Sequence, residues 1–475
     1  MRAWGLAVIM HLLANASGLV GWRDRPLVGL VEFVLLACAV GLVVRPRPRL
    51  ALVASGLVVV DLWLDAPMVG NHALLLGLGG LAILLTRPGW PPGDLEADRG
   101  RSWLATMRFT ILIAYGAIAF SKLNTGYLDP VVSCGVRFAG DIGAPIGFDA
   151  ARLGSDRALG SFLLLAVLCI ELAIPFLLVV SSPVRRNLVV VGAVIFHVLV
   201  GLDPGRHFWD FTATLIPFYL AFCTTSTLRS LEAAAGELLG TPRSGPTRAA
   251  FGLGGLVASF GGAFAVASSG PGIVYAQLGR HLLWLGCAGV VLTGLVSVVR
   301  TERADLASAV GSVGAFGRSP LGVRRLSVGV LVPLLALLNG LTPYLEIKTA
   351  GGWNMYANLV TSGGSSNHLI VRRTFPVDER GGDLVRILAT DDDELVPYVE
   401  GGWDLTFQQL RTHLAEHPDS GLTYERDGER HVVGRAGDVA ELVEPVSVWS
   451  EKLRPFRSVD AGDSPRCQDV WLPAR

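Results

Sequence analysis

Arg108-Phe-Thr-Ile-Leu-Ile-Ala-Tyr115-Gly-Ala-Ile-Ala-Phe-Ser-Lys122 decides how the rest of the chain is read. The residues between its two basic ends carry no charge. With the residues just before them they extend an apolar run over 103–122, the roughly 20 residues that a helix needs to cross a hydrocarbon core. Comparable runs lie on either side, at 3–21, 27–44, 50–65, 71–86, 160–180, 187–202, 209–226, 250–268, 275–299 and 322–341. The expected fold class is therefore mainly α, a polytopic membrane helix bundle of about 9–11 spans. Those at 50–65 and 71–86 are short and fit half-inserted or tilted helices.

Composition agrees. Of the 475 residues, 51% are hydrophobic and 17% charged, against roughly 25% charged in a soluble domain. That argues against a soluble enzyme, a nucleic-acid binder or a disordered scaffold. The formal charge is zero, but residues from Leu345 onward hold 22 acids and 14 bases, a net −8 that leaves +8 on the rest. Loop arginines alternate along the chain: even-numbered loops carry 16, odd-numbered loops six. Because Lys and Arg are retained in the cytoplasm, this bias puts the amino terminus inside and the acidic tail outside a cytoplasmic membrane. Ala14-Asn15-Ala16 looks like a signal-peptide cleavage site, but the single leading charge, Arg2, and the long apolar run favour a retained helix.

Three segments follow: membrane helices over 1–49, a main bundle over 50–344, and a small extracytoplasmic module over 345–475, β-rich or α+β. In the module, 368–372 and 383–388 read as strands and 424–433 as a hairpin about Asp427-Gly428. Residues 404–416 read as a helix with Asp404 at its N-cap. The outer loop 123–160 reads as an irregular cap, and 236–248 as a linker. Cys38, Cys169, Cys223 and Cys287 fall in apolar runs. Cys134 and Cys467 both face the oxidising side, where they form either a disulfide or two unrelated thiols. No Cys-x-x-Cys pair or His cluster at ligand spacing stands out, so no metal is expected.

Ionisable groups inside spans are expensive and mark function by default. Here they are Glu32, Asp61, His72, Arg108, Lys122, Glu171, His197 and Asp210, with Glu171 and Asp61 expected as neutral buried acids. Asn71 precedes His72 at a helix start, where capping and a place at the water interface are the plain reading. Lys122 is the most informative, because the chain has 37 Arg and three Lys, the others being Lys348 and Lys452. An arginine stays protonated, whereas a lysine in a dry site can lose its proton and act as a base. The plainer alternative is an amine snorkelling at the interface.

The segment ending Ser121-Lys122-Leu-Asn resembles the helix of vitamin K-dependent γ-glutamyl carboxylases that closes on a Lys-Leu-Asp motif. Leu64-Asp65 with Asn71-His72, Phe196-His197 with Trp209-Asp210-Phe211, and Trp353-Asn354-Met355 with Ser366-Asn367-His368-Leu369-Ile370 resemble other segments of that family, in the same order. Lys122-Leu-Asn, Leu128-Asp129-Pro130 and Ser133-Cys134 are similar to its bacterial HTTM relatives, and the likeness covers about 50–370. It implies an enzyme whose lysine, here Lys122, deprotonates reduced vitamin K or a menaquinol-type quinol. Dioxygen then adds, the resulting strong base removes a γ-proton from a peptide glutamate, the quinol ends as an epoxide, and the carbanion takes up carbon dioxide. His72 matches the histidine of the carbanion step. Asn71, Tyr115, His197 and Asp210 would hold the quinol, and the partners would be membrane lipid, a quinone and a secreted peptide.

Two departures bear on this. The outer module is much smaller than the lumenal domain of the eukaryotic carboxylases, and Ser121-Lys122 replaces a pair of adjacent lysines. Quinol oxygenation is thus implied more firmly than carboxylation. The alternative is a non-catalytic HTTM accessory protein for maturing a secreted peptide. A transporter is a weaker third reading, kept by the Gly-rich runs at 77–80 and 252–262 and opposed by the lack of an inverted pair of broken helices.

Overall fold

The computed structural model describes residues 1–15, 23–67, 69–86, 94–144, 147–202, 208–238, 289, 296, 328–460, 462 and 464–468. The spans expected at 250–268 and 275–299, apart from residues 289 and 296, lie outside the described residues, as do Cys287 and the linker beyond residue 238.

Up to Leu341 the described α-helices are α1 Arg2–Asn15, α2 Pro26–Val44, α3 Pro48–Asp65, α4 Asn71–Thr86, α5 Asp94–Ser121, α6 Thr125–Leu128, α7 Cys134–Gly143, α8 Ala150–Ser155, α9 Arg157–Val180, α10 Pro183–Val200, α11 Phe208–Leu220, α12 Thr225–Leu238 and α13 Leu331–Leu341, and all but α6, α7, α8 and α12 fall on the expected apolar runs. Among the described residues three helical stretches are long and apolar enough to cross a membrane: Pro26–Val44, Ser102–Ser121 and Arg157–Val180. The run expected as one span at 209–226 breaks after Leu220, and a second helix starts at Thr225. The loop 123–160 is also more regular than expected. It holds three short helices, whose N-caps Asn124, Ser133 and Asp149 each accept a hydrogen bond from a first-turn amide, the geometry these side chains favour at a helix start.

The chain divides into two compact units. The first comprises Met1–Asp61, Leu75–Leu112 and Ala173–Pro333. There α1 lies close on α2, where a Cβ at Gly5 would come within 2.7 Å of the Ala39 carbonyl oxygen, so only glycine permits the approach. On its other side Met10 packs with Trp209, Ala213 and Ile216 of α11.

The second unit comprises Leu62–Leu74, Ile113–Leu172 and Leu334–Arg475. The loop helices build a core from Tyr127, Val136, Leu153 and Leu164. In the tail, β1 Thr361–Ser362 pairs with β2 Ser365–Ser366, and β3 Leu384–Thr390, β4 Asp404–Thr406, β5 Leu422–Arg426 and β6 Glu429–Val433 form an antiparallel sheet in the order β4-β3-β5-β6. Helix α14 Phe407–Glu416 buries Phe407, Leu410 and Leu414 with Val385, Ile387 and Leu405 of the strands.

The hairpin turns at Asp427 and Gly428, both with positive φ (54° and 77°), as a twisted two-residue connection demands. Asp404, expected as the N-cap, lies in β4, and the cap is Thr406, whose side chain forms a capping box with Gln409. The expected strand at 368–372 is absent, and His368 makes a single bridge to Asn124 instead. Cys134 and Cys467 are disulfide-bonded, with Cα atoms 4.7 Å apart.

Candidate functional site

Lys122 follows the last residue of α5. Its Nζ lies 2.5 and 2.6 Å from the two carboxylate oxygens of Glu171 on α9. Both residues are buried, at 7% and 9% exposure, so the amine does not snorkel, and Glu171, expected as a buried acid, has the amine as its partner. The Tyr127 ring faces the amine, with its centroid 5.4 Å from Nζ. The Tyr127 hydroxyl is buried without a hydrogen-bond partner among the described residues. Burial, and after it the charge of Glu171, pushes that phenol well above its ordinary range.

Four sequence-distant motifs meet around this pair. The Asn71 side-chain oxygen accepts the Trp353 backbone N–H at 3.2 Å, rather than merely capping α4, and the Ser121 hydroxyl, which donates to the Ile118 carbonyl at 2.8 Å, also lies 3.4 Å from the Trp353 carbonyl. The backbone of one buried residue, Trp353, therefore meets both the neighbour of His72 and the neighbour of Lys122. Trp353 is held in turn by its indole N–H on the Ala336 carbonyl at 2.7 Å. His72 is half-buried on the first turn of α4, and Tyr115 is buried on α5, about two turns before Lys122.

Asn124 is the second tie. Its amide donates to the carbonyls of Ser121 and Ala357 at 2.7 and 2.5 Å, and its oxygen accepts the Tyr127 N–H at 2.8 Å and the Asn367 amide at 3.2 Å. His368 then donates from Nε2 to the Phe120 carbonyl at 2.8 Å, while its Nδ1 accepts the N–H groups of Ile370 and Val371 at 3.1 and 3.0 Å. A ring nitrogen that accepts two amides must be unprotonated. Burial correspondingly pulls the His368 pKa down, against the opposing pull of the Phe120 carbonyl.

The remaining expected site residues, His197 and Asp210, belong to the first unit. Asp210 is fully buried and accepts from the Asn15 amide at 2.8 Å, with His11 Nδ1 at 3.4 Å from the same oxygen. His11 Nε2 lies 3.9 Å from an Asp61 oxygen. The imidazole is thus buried between two carboxylates, with hydrogen-bond reach to Asp210 alone of the two. His197 is buried amid aromatic rings of Phe196, Phe211 and Tyr219, and its backbone carbonyl accepts the Thr212 hydroxyl at 2.8 Å.

Sequence reasoning missed His11, although it lies inside the run 3–21, where any ionisable residue is a signal. It also passed over the other two lysines. Burial pulls Lys348 down to about 8, within the range of a working general base. Lys452 donates to the carbonyls of Trp63 and Ala66 at 2.8 and 2.9 Å, closing the end of α3 as a cationic C-cap. In comparisons with family models, curated proteins and solved structures, the chain matches none.

Proposed function

We propose that this chain is a multi-pass enzyme of the cytoplasmic membrane, related to vitamin K-dependent γ-carboxylases and their bacterial HTTM relatives, with its amino terminus inside and its tail outside. On this reading Lys122 is the base that takes a proton from a reduced naphthoquinone, and a secreted peptide is the second substrate. The observation that carries the reading is the buried Lys122–Glu171 pair, with the Asn71-His72 and Ser121-Lys122 motifs meeting at Trp353. Lipid contact is supported by large apolar side chains left outward on the candidate spans, among them Phe33, Phe162 and Phe176 at 59%, 70% and 64% exposure. Trp63 and Trp449, with ring centroids 5.1 Å apart, suit an interfacial aromatic belt.

The donor set fits a quinol. Lys122 Nζ and the Tyr127 hydroxyl, unpartnered among the described residues, would hold phenolic oxygens, with Asn71, the neighbour of His72, on the Trp353 backbone. When bound, the quinol supplies an acidic hydroxyl and, after reaction with dioxygen, the strong base that glutamate deprotonation requires. The residues themselves manage protons. Transfer of one proton from the Lys122 ammonium to Glu171 leaves a neutral amine beside a neutral acid, and that amine then accepts the substrate hydroxyl proton. Burial excludes the water that would otherwise quench such a base.

The same ion pair supports a second reading, an accessory membrane protein in which Lys122–Glu171 only clasps α5 to α9. Lys122→Arg separates the two, because arginine keeps the charge but does not deprotonate. Purified variants are given reduced vitamin K, first without and then with oxygen, following epoxide and labelled carbonate separately. Epoxide formed by wild type and lost in Lys122→Arg and Lys122→Ala supports the enzyme, and undiminished epoxide in Lys122→Ala refutes the role of the lysine.

A further inference from the structure

The outer module carries a second cluster of chemistry-bearing side chains, unrelated to the lysine site. His413 and His417 stand one helical turn apart at the end of α14, with rings stacked at 4.3 Å. Asp392, just beyond β3, turns one carboxylate oxygen toward both. That oxygen lies 2.8 Å from His413 Nε2, 3.7 Å from His417 Nδ1 and 2.7 Å from the Ser420 hydroxyl. Its other oxygen accepts the Glu394 backbone N–H at 2.9 Å, which fixes the carboxylate plane. We propose that Asp392, His413 and His417 bind a zinc-class divalent transition-metal ion.

The donor set is the first argument. Two imidazoles and a carboxylate suit zinc and its neighbours, whereas calcium and magnesium prefer oxygen alone. Spacing is the second. A tetrahedral ion with ligands about 2.0–2.1 Å away sets its donors roughly 3.3 Å apart. The 2.8 and 3.7 Å separations bracket that value, and one ligand atom from each residue lies within 4.8 Å of the others. Outer support is the third. With Nε2 on the ion, the His413 proton moves to Nδ1, which lies 3.8 Å from an oxygen of the exposed Glu394 side chain, longer than a hydrogen bond but on the side where the carboxylate–histidine–metal order needs a carboxylate. The His417 side chain is 40% exposed, so a fourth position opens to solvent. A purely structural Asp392–His413–Ser420 network is complete without His417, and this makes His417 the discriminating residue.

The full-length chain in detergent micelles is stripped with a chelator and titrated with zinc chloride against a chromophoric competitor. Wild type is expected to bind one tight equivalent that magnesium does not displace. His417→Ala should weaken it by roughly 10–100-fold or more with an unchanged metal-free unfolding midpoint. His431→Ala, a histidine of the same module stacked on Tyr424, should bind as wild type does. Equal zinc affinity in wild type and His417→Ala, or no bound equivalent in wild type, overturns the proposal.

Discussion

Glu171→Ala removes the carboxylate lying 2.5 and 2.6 Å from the Lys122 amine and strands a buried charge. At an effective dielectric near 20, unit charges at that distance attract by about 6 kcal/mol. Removing each ion from water opposes this by several kcal/mol. The intact pair is thus close to neutral for stability, while either single truncation loses the attraction and keeps a desolvated partner, at about 3–5 kcal/mol. The double variant Lys122→Met/Glu171→Leu has neither charge and should fall within about 1 kcal/mol of wild type or above it. Unfolding in mixed micelles of mild detergent and dodecyl sulfate, followed by tryptophan fluorescence, measures all four corners of the cycle. If the two single effects sum in the double variant to within about 0.5 kcal/mol, the groups are uncoupled and the buried pair does not exist in the protein.

Further outcomes follow from the second unit. Lys348, lowered from 10.5 to about 8 by burial, binds fewer protons folded than unfolded between those values. Stability should therefore rise as pH climbs through that window, and Lys348→Met should add about 1–3 kcal/mol at pH 7, read from denaturation midpoints at pH 7 and 10. The Asp378 carboxyl is held below its usual range, chiefly by hydrogen bonds from Arg454 at 2.5 and 2.9 Å. Its contribution is present above the ordinary carboxylate pKa and lost as pH falls through the depressed one, so Arg454→Ala should abolish that part of the acid-induced loss in a pH-dependent melt. Thr406→Ala removes the capping box and should lower the unfolding free energy by about 1 kcal/mol. Cys134→Ser/Cys467→Ser opens a link between residues 333 apart and should lose roughly 2–5 kcal/mol, matched by wild type melted in reductant. Val432→Cys, at a position 76% exposed on β6, should react with an impermeant maleimide in intact cells. Labelling only after lysis would reverse the sidedness.

Hydropathy locates the long apolar helices, though not the short capped ones between residues 125 and 155, because burying an unpaired backbone in apolar surroundings is so costly that a long apolar run has few other solutions. The hairpin at Asp427-Gly428 was equally legible, since few residues tolerate its positive φ. What escaped were partnerships across long sequence distances. Glu171 and Lys122 each drew notice as a misplaced charge, but no periodicity couples residues 49 apart. Asp404 looked like a cap because it precedes the apolar helix pattern, yet Thr406 lies nearer the first turn and has Gln409 to reciprocate. His368 follows a β-prone pattern, but its ring finds a better place under the Phe120 carbonyl than in a ladder. The i, i+4 spacing of His413 and His417 was overlooked when no histidine cluster was singled out, and Asp392 arrives from another strand end and completes the trio only in three dimensions.

The Asn124 and His368 ties give the C-terminal module a different standing from an appended accessory. A version cut after Leu341 would lose the Ala357 carbonyl that accepts from the Asn124 amide and the His368 ring that donates to the Phe120 carbonyl near the end of α5. Such a fragment would present a new folding problem instead of a bare bundle, and its inactivity would say nothing about what the module binds. Grafting a foreign tail faces the same constraint: it must travel with its own version of residues 120–125, as a lock travels with its key.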